Sequence, residues 1–573
     1  MGRAPNGRHR WRQPDAPFVV GMLALAIPFG VLAVRLATSS GHVFLSDDLA
    51  LIDLNVKDAL HFRQQLGPWD RFGWRHPGAS YFYLLALVAR AFGSGARADF
   101  LGAALINGLS ALGIVWLMHR AAGRWPALWS ALCVGALATI LTVRTPVVAG
   151  HVVSEASIGV IASPWNPYVV ILPLTFFAAL CAVGAAGSWP ALVGGAVVGS
   201  FVVQSNIGTL PFVAALLVAA LGVRFVPVLR TRFRARTHGV SSATVPTHDT
   251  PRRAGPFVLL VGLLVLLVMW LPTILEQATT HPGNLTLIWR FFASHHRVHS
   301  LSRGLQAIGS IDGAPTFALS HPFLTATTSS TTEFLALAGV VAIGILGVSL
   351  GIVRSRPLAV LLASASLLGL AVAMVSATRV VGPVANYLMC WELSVPVLAI
   401  LAVGIAVVGD EQPTPSVHSP ATAPTVSTRR AGRPVVLVVL VVLVAGVLTG
   451  AIVRLPSLSG ASDPTVGSAW RVVAPSLPGA RTAIELGLDS GTPFYAFNTM
   501  IGLFDQLETQ GYDVCVGSFW TTAVGKRHVC RGAPEVEVLL APLAASTSGA
   551  HGIVGHTADY VIRVIRSTSS GSR

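Results

Sequence analysis

The sequence predicts an all-α polytopic membrane protein of about eleven transmembrane helices, followed by a small extracytoplasmic α/β domain at the C-terminus. Three observations carry this. Only 11% of the 573 residues are charged while 53% are hydrophobic, and the mean hydropathy is +0.68, whereas an ordinary soluble chain is about 25% charged. Apolar runs of roughly 20 residues, the length that crosses a bilayer core as a helix, recur along most of the chain. Past about residue 455 these runs stop, and amphipathic and strand-like patterns replace them.

The runs fall near 18–37, 97–118, 126–143, 167–186, 189–205, 209–226, 256–275, 332–353, 357–378, 385–408 and 434–454. A further run, "YFYLLALVARAF" at 81–92, is short for a crossing. The first run follows the basic stretch "MGRAPNGRHRWRQPDAP". It is long and lacks a small-x-small cleavage site, so it is expected to stay as an uncleaved span with the N-terminus cytoplasmic.

The linkers 224–255 and 409–433 are Arg-bearing and rich in Pro, Ser and Thr, and "RSRP" occupies 354–357. The positive-inside rule puts all three in the cytoplasm. It also accounts for a net charge of +15 without a nucleic-acid partner. Counting spans from these anchors leaves 38–80, 276–331 and everything beyond about 455 outside. The chain thus divides into a transmembrane domain, 1–454, and an extracytoplasmic domain, 455–573. The same count makes 81–92 lie along or dip into the outer face, or share one bent crossing with its successor.

Cys133, Cys181 and Cys390 lie in or beside spans, where a lone cysteine behaves as a small hydrophobe. Cys515 and Cys530 form an even pair in the soluble-looking segment. They suggest a disulfide in an oxidising compartment, two free thiols being the alternative. In the same segment "NTMIGLFDQLETQG" reads as an amphipathic helix ended by Gly511, and "YDVCVG" and "VEVLLA" read as strands.

Charge outside the membrane is the more informative, because the positive-inside rule does not explain it. In "DDLALIDLNVKDAL", Leu49, Ile52, Val56 and Leu60 recur at helical spacing. That spacing predicts a short amphipathic helix on the outer leaflet, apolar face buried and acids on the other face. Asp47 and Asp48 stand near its N-terminus, where the helix dipole favours carboxylates and one of them can serve as N-cap. Asp58, near its end, is expected to be solvated. The loop that follows, "GPWDRFGWRHPG", is turn-rich, and its Arg, His and Trp residues suit an anionic, ring-bearing ligand.

An acidic motif just after the first span, then a W-x-HPG-x-x-YFYLL entry to the next segment, resembles the GT-C superfamily of integral-membrane glycosyltransferases. The resemblance is strongest to actinobacterial members that use polyprenyl-phosphate-linked sugars. "SPWNPY" at 163–168, "WLPTILEQATTHPGNLTLIWRFF" at 270–292 and "TRVVGPVANYLMCWE" at 378–392 add to it, and it extends over roughly 18–408. It implies an outer-face active site and a polyprenyl-phosphate sugar as donor at the membrane lipid. It implies a cell-envelope polysaccharide, lipoglycan or glycoprotein as acceptor. The family's carboxylate base maps to Asp47 or Asp48, with Asp47 favoured and Asp48 as its helper or a cap.

Chemistry agrees with that expectation. Attack by an acceptor hydroxyl needs a base in hydrogen-bond reach, and the departing phosphate needs cations. A one-step attack on the anomeric carbon inverts it. Arg71, Arg75, His76, Arg290 and Arg379 are the candidates for the donor phosphate, against the alternative that these arginines snorkel or bind headgroups. Trp74, Trp165, Asn166, Glu276, Gln277, Asn284, Tyr387 and Trp391 are the candidates for substrate contact. Glu155 is a further outside acid, and Gln204 and Asn206 are polar groups at a span end. Some family members need a divalent cation, Mg or Mn, for which Asp47 and Asp48 are the candidate ligands. His281, His295, His296 and His299 have no acidic or cysteine partner at close spacing, so no metal site is assigned to them.

There is no P-loop, no GxGxxG followed by an acid, and no CxxC pair. Two other readings compete with the enzyme. A lipid or solute transporter would carry ionisable residues near mid-span, whereas here the acids and arginines gather at the outer face. A non-catalytic envelope assembly factor that keeps the fold is not separated from the enzyme by the sequence.

Overall fold

The computed structural model describes residues 15–144, 155–237, 254–294, 296, 298–321, 324, 330–409, 432–479, 481–493, 495–543 and 552–566. Parts of both Arg-bearing linkers, and His295, lie outside the described residues.

Among the described residues nine helices are long and apolar enough to cross a membrane. They are Ala16–Ala37, Ala96–Ala122, Asn166–Ala185, Ile207–Phe225, Pro256–Thr279, Thr331–Val353, Pro357–Arg379, Asn386–Val408 and Val435–Val453. The chain is a multi-pass membrane protein. The other two expected spans are helices of 17 residues, Arg124–Ile140 and Trp189–Ser205. At about 1.5 Å per residue each falls a little short of the ~30 Å hydrocarbon core. Neither stands alone: Arg124–Ile140 packs on Ala16–Ala37, Ala96–Ala122 and Gly432–Val453.

Side-chain contacts sort the helix ends into two faces. On one, Phe18 stacks on His119, and Arg224 lies over Trp189. Arg354 and Arg356 donate there to the carbonyls of Ala406, Val407 and Gly409. On the opposite face Arg35 donates to the carbonyls of Ile452, Val453 and Leu455. Trp165 there meets Asp48, and Asn284 meets Arg75. Every described segment expected outside thus converges on one face, the site face.

Segment 81–92 belongs wholly to that face. Its helix, Ser80–Phe92, starts with the Ser80 N–H donating to Gln204 Oε1 at 3.3 Å. It ends with Arg90 Nη2 donating to the Leu60 carbonyl at 3.2 Å. Thirteen residues rise only about 20 Å, short of the ~30 Å hydrocarbon core, and both ends are tied to elements of the site face.

The helix Asp47–Leu60 corrects one expectation. It does not lie on a leaflet with its acids in water. It is enclosed between Ser80–Phe92 and the C-terminal domain helix Ala496–Thr509, and Asp53 and Asp58 are 1% and 7% exposed. The acids are buried because the C-terminal domain brings partners to them. Lys57 Nζ lies 2.9 Å from Asp53 Oδ2 and 2.6 Å from Asp505 Oδ1. Asp58, expected to be solvated, is held by Arg527 and by His528 Nε2 at 3.1 Å.

A two-stranded antiparallel ribbon, β1 (Trp69–Asp70) and β2 (Trp74–Arg75), makes the turn of the first loop. The C-terminal domain holds β3 (Ala483–Leu488), β4 (Asp513–Val516), β5 (Val536–Pro542), β6 (Ile553–His556) and β7 (Tyr560–Arg566), in the order β4-β3-β5-β7-β6. β3 runs parallel to β4 and β5, and β7 antiparallel to β5 and β6. β4 and β5 are the two expected strands. The expected helix crosses from β3 to β4 and ends before Gly511, whose φ of +85° is the left-handed conformation that suits glycine after a helix. Cys515 and Cys530 are disulfide-bonded.

Candidate active site

The site is built where the first span hands over to the 47–60 helix. Ser46 takes the N-cap position, so neither aspartate is the cap. The backbone at Asp47 is left-handed, with φ of +50°, a conformation Asp tolerates better than most residues. Asp48 Oδ2 accepts a 2.7 Å hydrogen bond from the Trp165 indole N–H. The Trp165 ring packs on Tyr387 and Tyr168, with centroids 4.9 and 5.0 Å away.

A third carboxyl, Glu155, faces this pair. Burial, then the charge of Glu155, pushes Asp47 up to about 7, although the Asp48 backbone N–H opposes the rise. Burial, then the charge of Asp47, pushes Asp48 up to about 8 against the Trp165 hydrogen bond. Burial and Asp48 push Glu155 up to about 8. Asp70 at the turn rises to about 6, chiefly through burial. The acids therefore share protons near neutral pH, the range in which a carboxylate is both present and basic enough to take a proton.

Beside the acids opens a cavity of about 1060 Å³ with mainly apolar walls. Val203, Leu217, Trp270, Val375 and Trp391 line it, together with Ile288 and Phe291 of the amphipathic helix Asn284–Ala293. Its polar edge carries Asp70, His76, Asn206 and Arg379. Asp70 joins cavity to acids, since it also acts electrostatically on Asp48. Tyr387 joins them a second time. Its hydroxyl feels Arg71, Asp48, Asp70 and Glu155, while the next two residues, Leu388 and Met389, line the cavity. Arg71 approaches Gly382, so that a Cβ there would meet Arg71 Nη2 at 3.9 Å.

His76 is buried, and burial and the neighbouring Arg75 lower it to about 3, so its ring is neutral. The Ile207 N–H points at His76 Nδ1 at 3.1 Å. The ring proton therefore sits on Nε2, and His76 is one of the residues that line the cavity.

Of the residues singled out from sequence, Asp47, Asp48, Trp165, Tyr387 and Arg71 meet at the acid cluster, and Trp74, His76, Arg379 and Trp391 line the cavity. The others are placed differently. Arg75 is buried: Nε donates to the Gly67 carbonyl at 3.0 Å and Nη2 to Asn55. Asn284 exchanges hydrogen bonds with the Arg75 backbone at 2.8 and 2.7 Å. Glu276 and Gln277 accept from the first N–H groups of the 284–293 helix, Glu276 from Asn284 and Gln277 from Leu285. Asn166 donates to the Ser205 carbonyl. Arg290 is exposed in the last turn of the 284–293 helix.

His296 turns back on the Phe291 carbonyl, and His299 lies 2.8 Å from the Gly382 carbonyl. Among the described residues no three His, Cys, Asp or Glu side chains are grouped as the ligands of a metal ion would be.

The roles of Asp70, Asp463 and the Lys57 network had no assignment from sequence. Asp463 carried a local signal, an Asp before Pro464 at a helix start, and it does cap Pro464–Val473. Its proximity to Asp47 carried none.

No family model and no curated protein matches the sequence. Among solved structures the chain is similar to ArnT from Cupriavidus metallidurans bound to undecaprenyl phosphate, at 12% identity and a TM-score of 0.42, over 98% of this chain and 100% of that one. It is also similar to the Archaeoglobus fulgidus oligosaccharyltransferase in the apo form, at 14% identity and a TM-score of 0.35, over 86% of this chain and 64% of that one. The same archaeal enzyme in complex with Zn and sulfate gives 11% identity and a TM-score of 0.39, over 92% of this chain and 68% of that one. All three scores lie below 0.5, and the chemistry of this chain rests on its own residues.

Proposed function

We propose that this protein is a membrane glycosyltransferase of the GT-C type. It moves a sugar from a polyprenyl-phosphate donor to a hydroxyl of a cell-envelope glycan, lipid or protein on the outer face of the cytoplasmic membrane. The observation that carries the reading is the junction of two unlike environments. A cluster of acids near neutral pKa adjoins a large apolar cavity edged by arginine. The cavity suits the chain of a lipid, Arg71 and Arg379 suit its phosphate, and the acids suit the acceptor.

In the reaction Asp47 takes the proton of the acceptor hydroxyl as that oxygen bonds to the anomeric carbon. The bond from the anomeric carbon to the phosphate oxygen breaks on the opposite side, so the configuration inverts. The polyprenyl phosphate leaves with one more negative charge, which Arg71, Arg379 and the His76 Nε2–H stabilise. Asp48, fixed by Trp165, orients the acceptor. Donors held before the transition state are worth most because they need no reorganisation as charge develops.

The test is transfer by the purified protein from undecaprenyl-phosphate-linked arabinose, mannose and galactose. Release of undecaprenyl phosphate with a glycosylated acceptor supports the reading. Tight binding of undecaprenyl phosphate with no transfer from any donor favours the assembly factor.

A further inference from the structure

The C-terminal domain grips the five residues that precede the catalytic pair. His42 Nε2 lies 2.6 Å from Gln506 Oε1. The Phe44 N–H donates to Ser462 Oγ at 3.0 Å, and the Phe44 carbonyl accepts from the Asp463 N–H at 2.7 Å. Leu45 is buried, and its carbonyl oxygen lies directly against Gly502 in the Ala496–Thr509 helix. A Cβ at Gly502 would fall on that oxygen and would also stand 2.5 Å from Val466 Cγ2. A backbone oxygen cannot swing aside as a side chain can. The 496–509 helix therefore sits this close only because residue 502 is glycine.

The far end of the 47–60 helix is held by the same domain. Lys57 Nζ reaches Asp505 Oδ1 and Thr509 Oγ1, both at 2.6 Å, and Asp505 is three residues along from Gly502 on the same helix face. One helix of the C-terminal domain thus holds both the approach to Asp47 and the exit from its helix. Between these two holds stands the left-handed backbone of Asp47, φ +50°. Such a conformation costs energy and persists where its surroundings over-determine it.

We infer that the C-terminal domain is a working part of the active site, and that Gly502 is its positioning residue. By admitting the 496–509 helix onto the Leu45 carbonyl it sets where the Asp47 and Asp48 carboxyls stand. The domain touches no donor in this role. The inference rests on the reading of Asp47 and Asp48 as the catalytic pair.

The experiment uses the full-length protein in nanodiscs, as wild type, Gly502→Ala, Ser462→Ala and the control Gly446→Ala. Gly446 faces open space in a membrane-spanning helix. Three quantities are read: kcat and KM with the sugar-loaded undecaprenyl phosphates above, the affinity for undecaprenyl phosphate alone, and amide hydrogen exchange over residues 42–50. Gly502→Ala is expected to lower kcat roughly tenfold or more, since small misplacements of catalytic groups are costly. KM for the donor and undecaprenyl-phosphate affinity should stay within about twofold, because the cavity is built by other elements. Exchange over 42–50 should rise. Ser462→Ala, which leaves the helix contact in place, should show the same pattern more weakly, and Gly446→Ala should match wild type.

Unchanged kcat and exchange in Gly502→Ala overturns the inference. So does loss of undecaprenyl-phosphate affinity along with kcat, because the contact would then hold the whole fold rather than place two carboxyls. If the wild type transfers no sugar, the functional reading falls while the exchange arm still decides the positioning. Faster exchange at 42–50 with lipid-phosphate binding intact supports it, and unchanged exchange overturns it.

Discussion

The Trp165 indole N–H donates to Asp48 Oδ2 at 2.7 Å, and this bond divides the labour of two adjacent carboxyls. Asp48 is oriented and one of its oxygens is occupied. Asp47 has only the Asp48 backbone N–H to favour its charge, with Glu155 and Asp463 opposing it. Asp48 Oδ2 is taken by the indole, which leaves Asp47 as the carboxyl assigned to take the acceptor's proton.

Trp165→Phe keeps the ring packing on Tyr387 and removes the donor. The hydrogen bond now holds Asp48 down, so its loss raises Asp48 further and, through their mutual repulsion, alters Asp47. With Asp48 held neutral, less negative charge opposes ionisation of Asp47, so the acid limb of the pH–rate profile should move to lower pH, by about one unit or less. An unchanged profile would contradict the assigned pairing.

Activity and stability should depend on pH in opposite senses. Turnover needs an ionised base, so it should rise through about pH 7 to 8, where Asp47 and Asp48 lose protons. Both groups titrate higher in the folded protein than the usual carboxylate value near 4. The folded state then binds more protons than the unfolded one, and stability falls as pH rises from about 4 through the folded pKa values. Thermal unfolding in detergent should give a higher midpoint at about pH 5.5, below both titrations, than at about pH 8.5, above both, and Asp47→Asn should reduce the difference.

Lys57 is the shared partner of two buried carboxyls. Burial works against its charge, but Asp505 and Asp53 together hold the ammonium well above its usual range. Lys57→Met removes the cation and leaves Asp53 and Asp505 facing each other, at a cost of about 3–5 kcal/mol. The measurement is the unfolding midpoint of the purified variant. A midpoint equal to wild type would show that the network is not what holds the two domains together.

The arginines make a separable prediction. Replacing Arg71 or Arg379 by Gln should weaken binding of undecaprenyl phosphate by roughly tenfold, the worth of one charge-assisted hydrogen bond. Binding of undecaprenol, which has the chain without the phosphate, should hardly change. Equal losses for both lipids would place these side chains at the lipid chain instead of the phosphate.

The spans were legible because a membrane imposes its length on the sequence directly, as an apolar run. The site was legible in part for the same reason. An acid or arginine gathered at one face stands out against so little charge, and Asp47, Asp48, Arg71 and Arg379 were singled out that way as candidates. The environment of the 47–60 helix was not legible. Its amphipathic pattern fits a leaflet surface, and what actually meets its Lys57 and Asp58 lies 448 to 470 residues away in sequence, at Asp505, Arg527 and His528. Arg75, Glu276, Gln277 and Asn284 looked like ligand groups for a related reason. A buried loop needs its backbone satisfied, and side chains that staple a turn or cap a helix are of the same types as those that bind sugar or phosphate.

The central claim, that the acid pair beside the lipid-sized cavity performs sugar transfer, is tested most directly by Asp47→Asn and Asp48→Asn made separately. Each would be assayed for transfer from sugar-loaded undecaprenyl phosphate and for binding of undecaprenyl phosphate alone. The account predicts that Asp47→Asn loses turnover by about 100-fold or more, as removal of a general base does, while lipid-phosphate binding persists, and that Asp48→Asn is impaired less. Wild-type turnover in both variants would contradict it.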